Sequence, residues 1–137
     1  MGTTFQEKRL WLMLAGLGAC FGAYFAAVLP ARTSVVLPDQ MALFVAAIVA
    51  LVLIQIAGHV AIAIVDRRQE TDERDRLIEL LGSRIAAWVL ATGVFASLCV
   101  ALVADGNFAF THLLLGSWVL AEMVGIAAKL ILYRRGA

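Results

Sequence analysis

Residues 108–133 read FAFTHLLLGSWVLAEMVGIAAKLILY. At about 1.5 Å per helical residue this run is long enough to cross the roughly 30 Å hydrocarbon core of a bilayer. It nevertheless carries a carboxylic acid, Glu122, near its middle. An ionisable group at that depth is expensive, and is by default functional or partnered. Working outward, residues 10–31 and 41–65 are free of charge, and 84–104 is uncharged beyond Arg84. Each is long enough for a transmembrane helix. The predicted fold is therefore all-α, a polytopic membrane protein of four transmembrane helices at about 10–31, 41–65, 84–104 and 108–133.

Composition agrees. The 137 residues are 63% hydrophobic and 15% charged, and the mean hydropathy is +0.93, outside the range of soluble domains. The longest polar stretch, 66–84, is too short to support a soluble core, so residues 1–137 form one predicted domain. A cleaved signal peptide fits the first run poorly, because its apolar core exceeds the usual 7–15 residues. An N-myristoyl signal is excluded by Gln6 where Ser or Thr is required.

Lys8, Arg9, Arg67, Arg68, Arg74, Arg76, Arg84, Arg134 and Arg135 fall in the N-terminal segment, the second loop and the tail, which must share one side. Only Arg32 flanks the other. The bias of Lys and Arg toward cytoplasmic loops predicts both termini in the cytoplasm. The net charge of +1, with the second-loop cations interleaved with Asp66, Glu70, Asp72, Glu73, Asp75 and Glu79, argues for no nucleic-acid partner.

Small residues form the next layer. Gly18, Gly22 and Ala26 recur every four residues in the first span, beside the ridge Ala15, Ala19, Ala23, Ala27. Ala57 with Ala61, and Ala121 with Gly125, repeat the spacing. Such faces let helix backbones approach closely. They read first as packing within a four-helix bundle and second as a dimer seam.

Periodicity groups the intramembrane polar residues Gln55, His59, Glu122 and Lys129. Gln55 and His59 are four apart on one face. Glu122 lies twelve residues before Arg134, about 18 Å from that end and near the depth of Gln55. Lys129 follows Glu122 by seven residues on the same face, where its stem can snorkel or anchor at the interface. For Glu122 two readings stand. One is a protonation or cation site, since leaving water disfavours the charged form. The other is a structural hydrogen bond to His59, Gln55 or Trp118.

Familiar membrane chemistries do not fit. Cys20 and Cys99 are isolated and no C-x-x-C occurs, which excludes quinone-linked disulfide exchange. His59 and His112 lie about 20 Å apart along the normal, too far for one haem. Too few ligands converge for a metal, and no Ser, His and acid share a depth. No cofactor and no enzymatic activity are expected.

In the second loop, Thr71 or Asp72 can cap a helix whose first turn is acidic, with an Asp72–Arg76 pair at i,i+4. Leu77, Ile78, Leu80, Leu81 and Ile85 form an apolar stripe, so the third helix starts before the membrane and enters it through Gly82 and Ser83, a candidate bend. The charged segment Asp72, Glu73, Arg74, Asp75, Arg76 is either a solvated helix end or a docking surface for a cytoplasmic protein.

The run TDERDRLIE at 71–79, followed by Arg84-Ile85-Ala86, Leu120-Ala121-Glu122 and the terminal LYRRG at 132–136, resembles a widespread group of small uncharacterised bacterial membrane proteins with four predicted spans. The resemblance covers the second half of the chain. It implies a bacterial inner-membrane location and no established activity. The leading expectation is a non-enzymatic interaction or regulatory module in the lipid bilayer, acting as a homodimer. The competing one is a small proton- or cation-coupled transporter with Glu122 as its protonatable group.

Overall fold

The computed structural model describes residues 5–31, 33–65 and 72–136. The chain runs α1 (Phe5–Val28), a 3₁₀ turn (Leu29–Ala31), α2 (Pro38–Val65), α3 (Glu73–Val103) and α4 (Phe108–Arg135). All four α-helices are long and apolar enough to cross a membrane. α1, α2 and α3 begin before their expected spans, and α4 ends after its own. Helical hydrogen bonding continues through flanking polar turns until a cap or turn stops it.

Antiparallel packing follows from the contacts. Leu12 meets Gly58 and Tyr24 meets Phe44 between α1 and α2, Lys129 meets Gly82 and Ser117 meets Gly93 between α3 and α4, and Tyr24 meets His112 between α1 and α4. The start of α1, the end of α2, the start of α3 and the end of α4 therefore lie at one end, called here the terminal end. The two shorter connections lie at the opposite, hairpin end. Arg32, Asp66, Arg67, Arg68, Glu70 and Thr71, which entered the orientation and capping arguments, lie outside the described residues.

The helices are ordered α2, α1, α4, α3, with α1 and α4 central. Leu17, Phe21, Tyr24, Val28 and Val119 form the main core toward the hairpin end, and Leu10, Ile126 and Leu130 form a second one toward the terminal end. Among the described residues, the backbones of α2 and α4 do not approach each other, nor do those of α2 and α3. The flanking helices accordingly expose much apolar surface, including Ile56, Val60, Trp88, Phe95 and Leu102. In a bilayer such surface faces lipid without penalty.

The small residues meet the expectation of packing within the bundle at Ala121 and Gly125 of α4 and depart from it in α1. Gly82, Gly93 and Gly125 make the tight α3–α4 seam, where a Cβ on Gly93 would collide with Ser117 and one on Gly125 would reach Ala86. Ala15, Ala19, Gly22, Ala23, Ala26 and Ala27 of α1 are exposed instead, and Gly22 has nothing within 4 Å of the place its Cβ would occupy. With only α2 and α4 against it, α1 leaves that ridge uncovered.

At the hairpin end, the two connections tie together. Phe108 N–H donates to Ser34 O at 3.0 Å, and Val36 N–H donates to Asn107 Oδ1 at 2.9 Å. Gly106 between them has φ +77°, and a side chain there would strike the Ser34 backbone. Only glycine meets both demands easily.

Candidate functional site

Because α2 packs on α1 and stands away from α4, a lateral groove forms with α1 as its floor and α2 and α4 as its walls. Its middle is a cavity of about 470 Å³ lined by Arg9, Met13, Leu17, Leu51, Gln55, His59, Trp118, Glu122 and Ile126. Three of the four expected intramembrane polar residues, Gln55, His59 and Glu122, thus share one cavity.

Of the two readings of Glu122, the structural hydrogen bond is the one the bonding does not supply. Glu122 is exposed on the groove wall, and among the described residues no hydrogen bond or ion pair joins it to His59, Gln55 or Trp118. Its turn of α4 faces the gap left by α2, so no neighbouring helix comes within reach. His59 Nδ1–H donates to the Gln55 backbone carbonyl at 2.6 Å, which leaves Nε2 of the neutral ring as an acceptor. Gln55 Nε2 donates to Met13 O at 3.4 Å, while Gln55 Oε1 is enclosed and has no partner. Gly16 makes room for that amide, since a Cβ there would lie 2.9 Å from Gln55 Nε2. Trp118 packs edge-on against Phe21, with ring centroids 5.8 Å apart.

Lys129 does not join the group. Its Nζ pairs with Glu79 at 2.7 Å, and its stem lies across Gly82 of α3. Although Glu122 and Lys129 project to similar sides of α4, the glycine in α3 admits the lysine stem, and Glu122 has no such neighbour.

Two further hollows adjoin the central cavity. Toward the terminal end, one of about 540 Å³ is lined by Gln6, Arg9, Asp75, Arg76, Glu79, Leu80 and Tyr133. Toward the hairpin end, one of about 570 Å³ includes Tyr24, Gln40, Phe44, Phe110 and Trp118. Arg9 borders the first and the central cavity, and Trp118 borders the second and the central cavity. The hollows therefore follow one another along the height of the protein.

The charged start of α3 is engaged internally. Asp72 is the N-cap: its carboxylate accepts from Glu73 N–H at 2.7 Å, and Asp75 completes a capping box by accepting from Asp72 N–H at 3.2 Å. Asp75 also accepts from the Tyr133 hydroxyl at 2.8 Å, and Arg74 donates to Tyr133 O at 3.0 Å. Arg74 and Asp75 thus clamp α3 to the end of α4. Asp72, Glu73 and Arg76 remain exposed. The Asp72 side chain caps the helix and does not form the expected ion pair with Arg76. Gly82 lies inside an uninterrupted α3, where it accommodates the Lys129 stem.

Sequence reasoning missed a buried polar pair at the hairpin end. Tyr24 O–H donates to His112 Nε2 at 2.9 Å, and His112 Nδ1–H donates to Phe108 O at 2.9 Å. The 3.6-residue period placed each residue on a face but carried no signal of the pairing. No three His, Cys, Asp or Glu side chains among the described residues converge as a metal site. Comparison with protein-family models, with curated proteins and with solved structures finds no match to this chain.

Proposed function

We propose that the protein is a non-enzymatic interaction or regulatory module of the bacterial inner membrane, with both termini cytoplasmic, acting as a homodimer through the small-residue face of α1 and α2. One observation carries this reading. On the reverse side of the α1–α2 seam from the groove lies an uncovered trough of about 390 Å³, lined by Ala19, Cys20, Ala23, Tyr24 and Ala27 of α1 and by Leu43, Ala46, Ala47 and Ala50 of α2. Two adjoining ridges of small side chains admit another helix at close backbone distance, which is how helices gain contact in lipid. The exposed residues Asp72, Glu73 and Arg76 then offer a cytoplasmic partner the outer surface of α3, while Arg74 and Asp75 hold that helix in place.

The test is oligomeric state in lipid nanodiscs. Ala19→Leu combined with Ala23→Leu is expected to convert dimer to monomer with helix content unchanged. A wild-type protein that is monomeric at all accessible concentrations contradicts the reading.

A second reading, proton- or cation-coupled transport, is favoured by the succession of hollows with the unpartnered Glu122 carboxyl at its centre. Glu122→Gln should abolish pH-dependent flux in proteoliposomes if that reading holds.

A further inference from the structure

We propose that the cavity at Glu122 binds an amphipathic organic ammonium, a protonated amine on an alkyl or aromatic body that partitions into the bilayer. Three residues that carry acceptor atoms without a donor line one cavity. Glu122 faces the gap between α2 and α4 with no hydrogen bond or ion pair among the described residues. Gln55 Oε1 is enclosed and unpartnered while the amide nitrogen is turned to Met13 O, and it meets a ligand in the cavity only when the amide turns. His59 Nε2 is left as an acceptor because Nδ1–H is held by the Gln55 carbonyl.

A buried acceptor without a partner is destabilising, and a carboxylate out of water more so, so the site is complementary to a group that brings both N–H donors and positive charge. Arg9 is the cation lining this cavity, and it makes no ion pair with Glu122. A metal ion is a poor alternative, since no three His, Cys, Asp or Glu side chains converge among the described residues.

The walls fix the rest of the ligand. Met13, Leu17, Leu51 and Ile126 are apolar, and Trp118 offers an aromatic surface to a neighbouring cation. Past Trp118 the hollow bordered by Tyr24, Phe44 and Phe110 continues the apolar path, giving room for a tail. Volumes of about 470 and 570 Å³ lie within the range of small-molecule sites. The groove opens sideways between α2 and α4, so an amphiphile dissolved in the bilayer reaches it directly. The site requires no dimer contact, because the Ala-lined trough lies on the other side of the α1–α2 seam. It supplies a ligand class for the transport reading but is tested by binding alone, so an absence of flux leaves it standing.

The test titrates dodecylammonium onto the protein in nanodiscs of zwitterionic lipid, with empty discs subtracted and dodecanol as the uncharged control. A saturable component of one amine per chain is expected, absent for dodecanol. Glu122→Gln should weaken it tenfold or more, while Asp105→Asn, exposed and outside the groove, leaves it unchanged. A second measurement needs no variant: dicyclohexylcarbodiimide labels membrane-embedded carboxyls, and dodecylammonium should suppress labelling of Glu122 in the wild-type protein several-fold. Binding no greater than to empty discs, equal binding of dodecanol, or Glu122 labelling unaffected by the amine overturns the proposal.

Discussion

Tyr24 and His112, 88 residues apart, share a 2.9 Å hydrogen bond that joins α1 to α4 inside the apolar hairpin end. The imidazole is fixed from its other nitrogen by Phe108 O and stacked on the Phe108 ring at 4.1 Å between centroids. Removing one partner leaves the other buried and unsatisfied. Tyr24→Phe should therefore cost about 1–3 kcal/mol. Adding His112→Phe to Tyr24→Phe should recover part of that loss, because no orphaned polar atom remains, and a double-mutant cycle by thermal unfolding in detergent measures the coupling. Strictly additive losses would show that the bond contributes nothing beyond packing.

The start of α3 offers a graded series. Tyr133→Phe removes one hydrogen bond to Asp75, whereas Asp75→Ala removes that bond and the capping box together. A helix cap is worth about 0.5–2 kcal/mol, so Asp75→Ala should be the more damaging by about that amount. Amide exchange over residues 73–79 reports it directly. Arg74→Glu should raise exchange there too, since it replaces the donor to Tyr133 O with a carboxylate beside Asp75. Equal protection in all three variants would mean that the clamp does not hold α3.

Glycines in the two seams should respond oppositely. A Cβ on Gly93 meets Ser117 side-chain atoms, so Gly93→Ala should force α3 from α4 and cost about 1–3 kcal/mol, as overpacking does. Gly22 faces open space, and Gly22→Ala should be neutral or stabilising by about 0.5–1 kcal/mol through helix propensity. Unfolding measured on monomer in detergent compares the two. Equal effects would place both glycines in the same kind of environment.

Much of this was legible in the sequence. Long apolar runs, charge-free in the first three spans and broken by Glu122 in the fourth, identified the four helices, the acidic turn narrowed the cap to Thr71 or Asp72, and helical rise set Glu122 near the depth of Gln55. What periodicity cannot convey is which helix stands opposite a given face. The order α2, α1, α4, α3 leaves Glu122 looking into a gap, and Gly82 draws Lys129 to Glu79. The same ignorance of neighbours hid the Tyr24–His112 bond and the turning of Arg74 and Asp75 toward α4. Small-residue spacing likewise revealed a ridge on α1 without showing that no helix of the same chain covers it.

The homodimer is tested most directly at Cys20, which lies half-buried in the Ala-lined trough, whereas Cys99 is exposed on α3. In membranes carrying Cys99→Ala, a short bismaleimide should link two chains through Cys20, and Ala23→Leu should suppress the product. Cross-linking that requires Cys99 and persists without Cys20, or no dimer product from Cys20 at any reagent length up to about 15 Å, ten helical residues of rise, would contradict a homodimer built on this face.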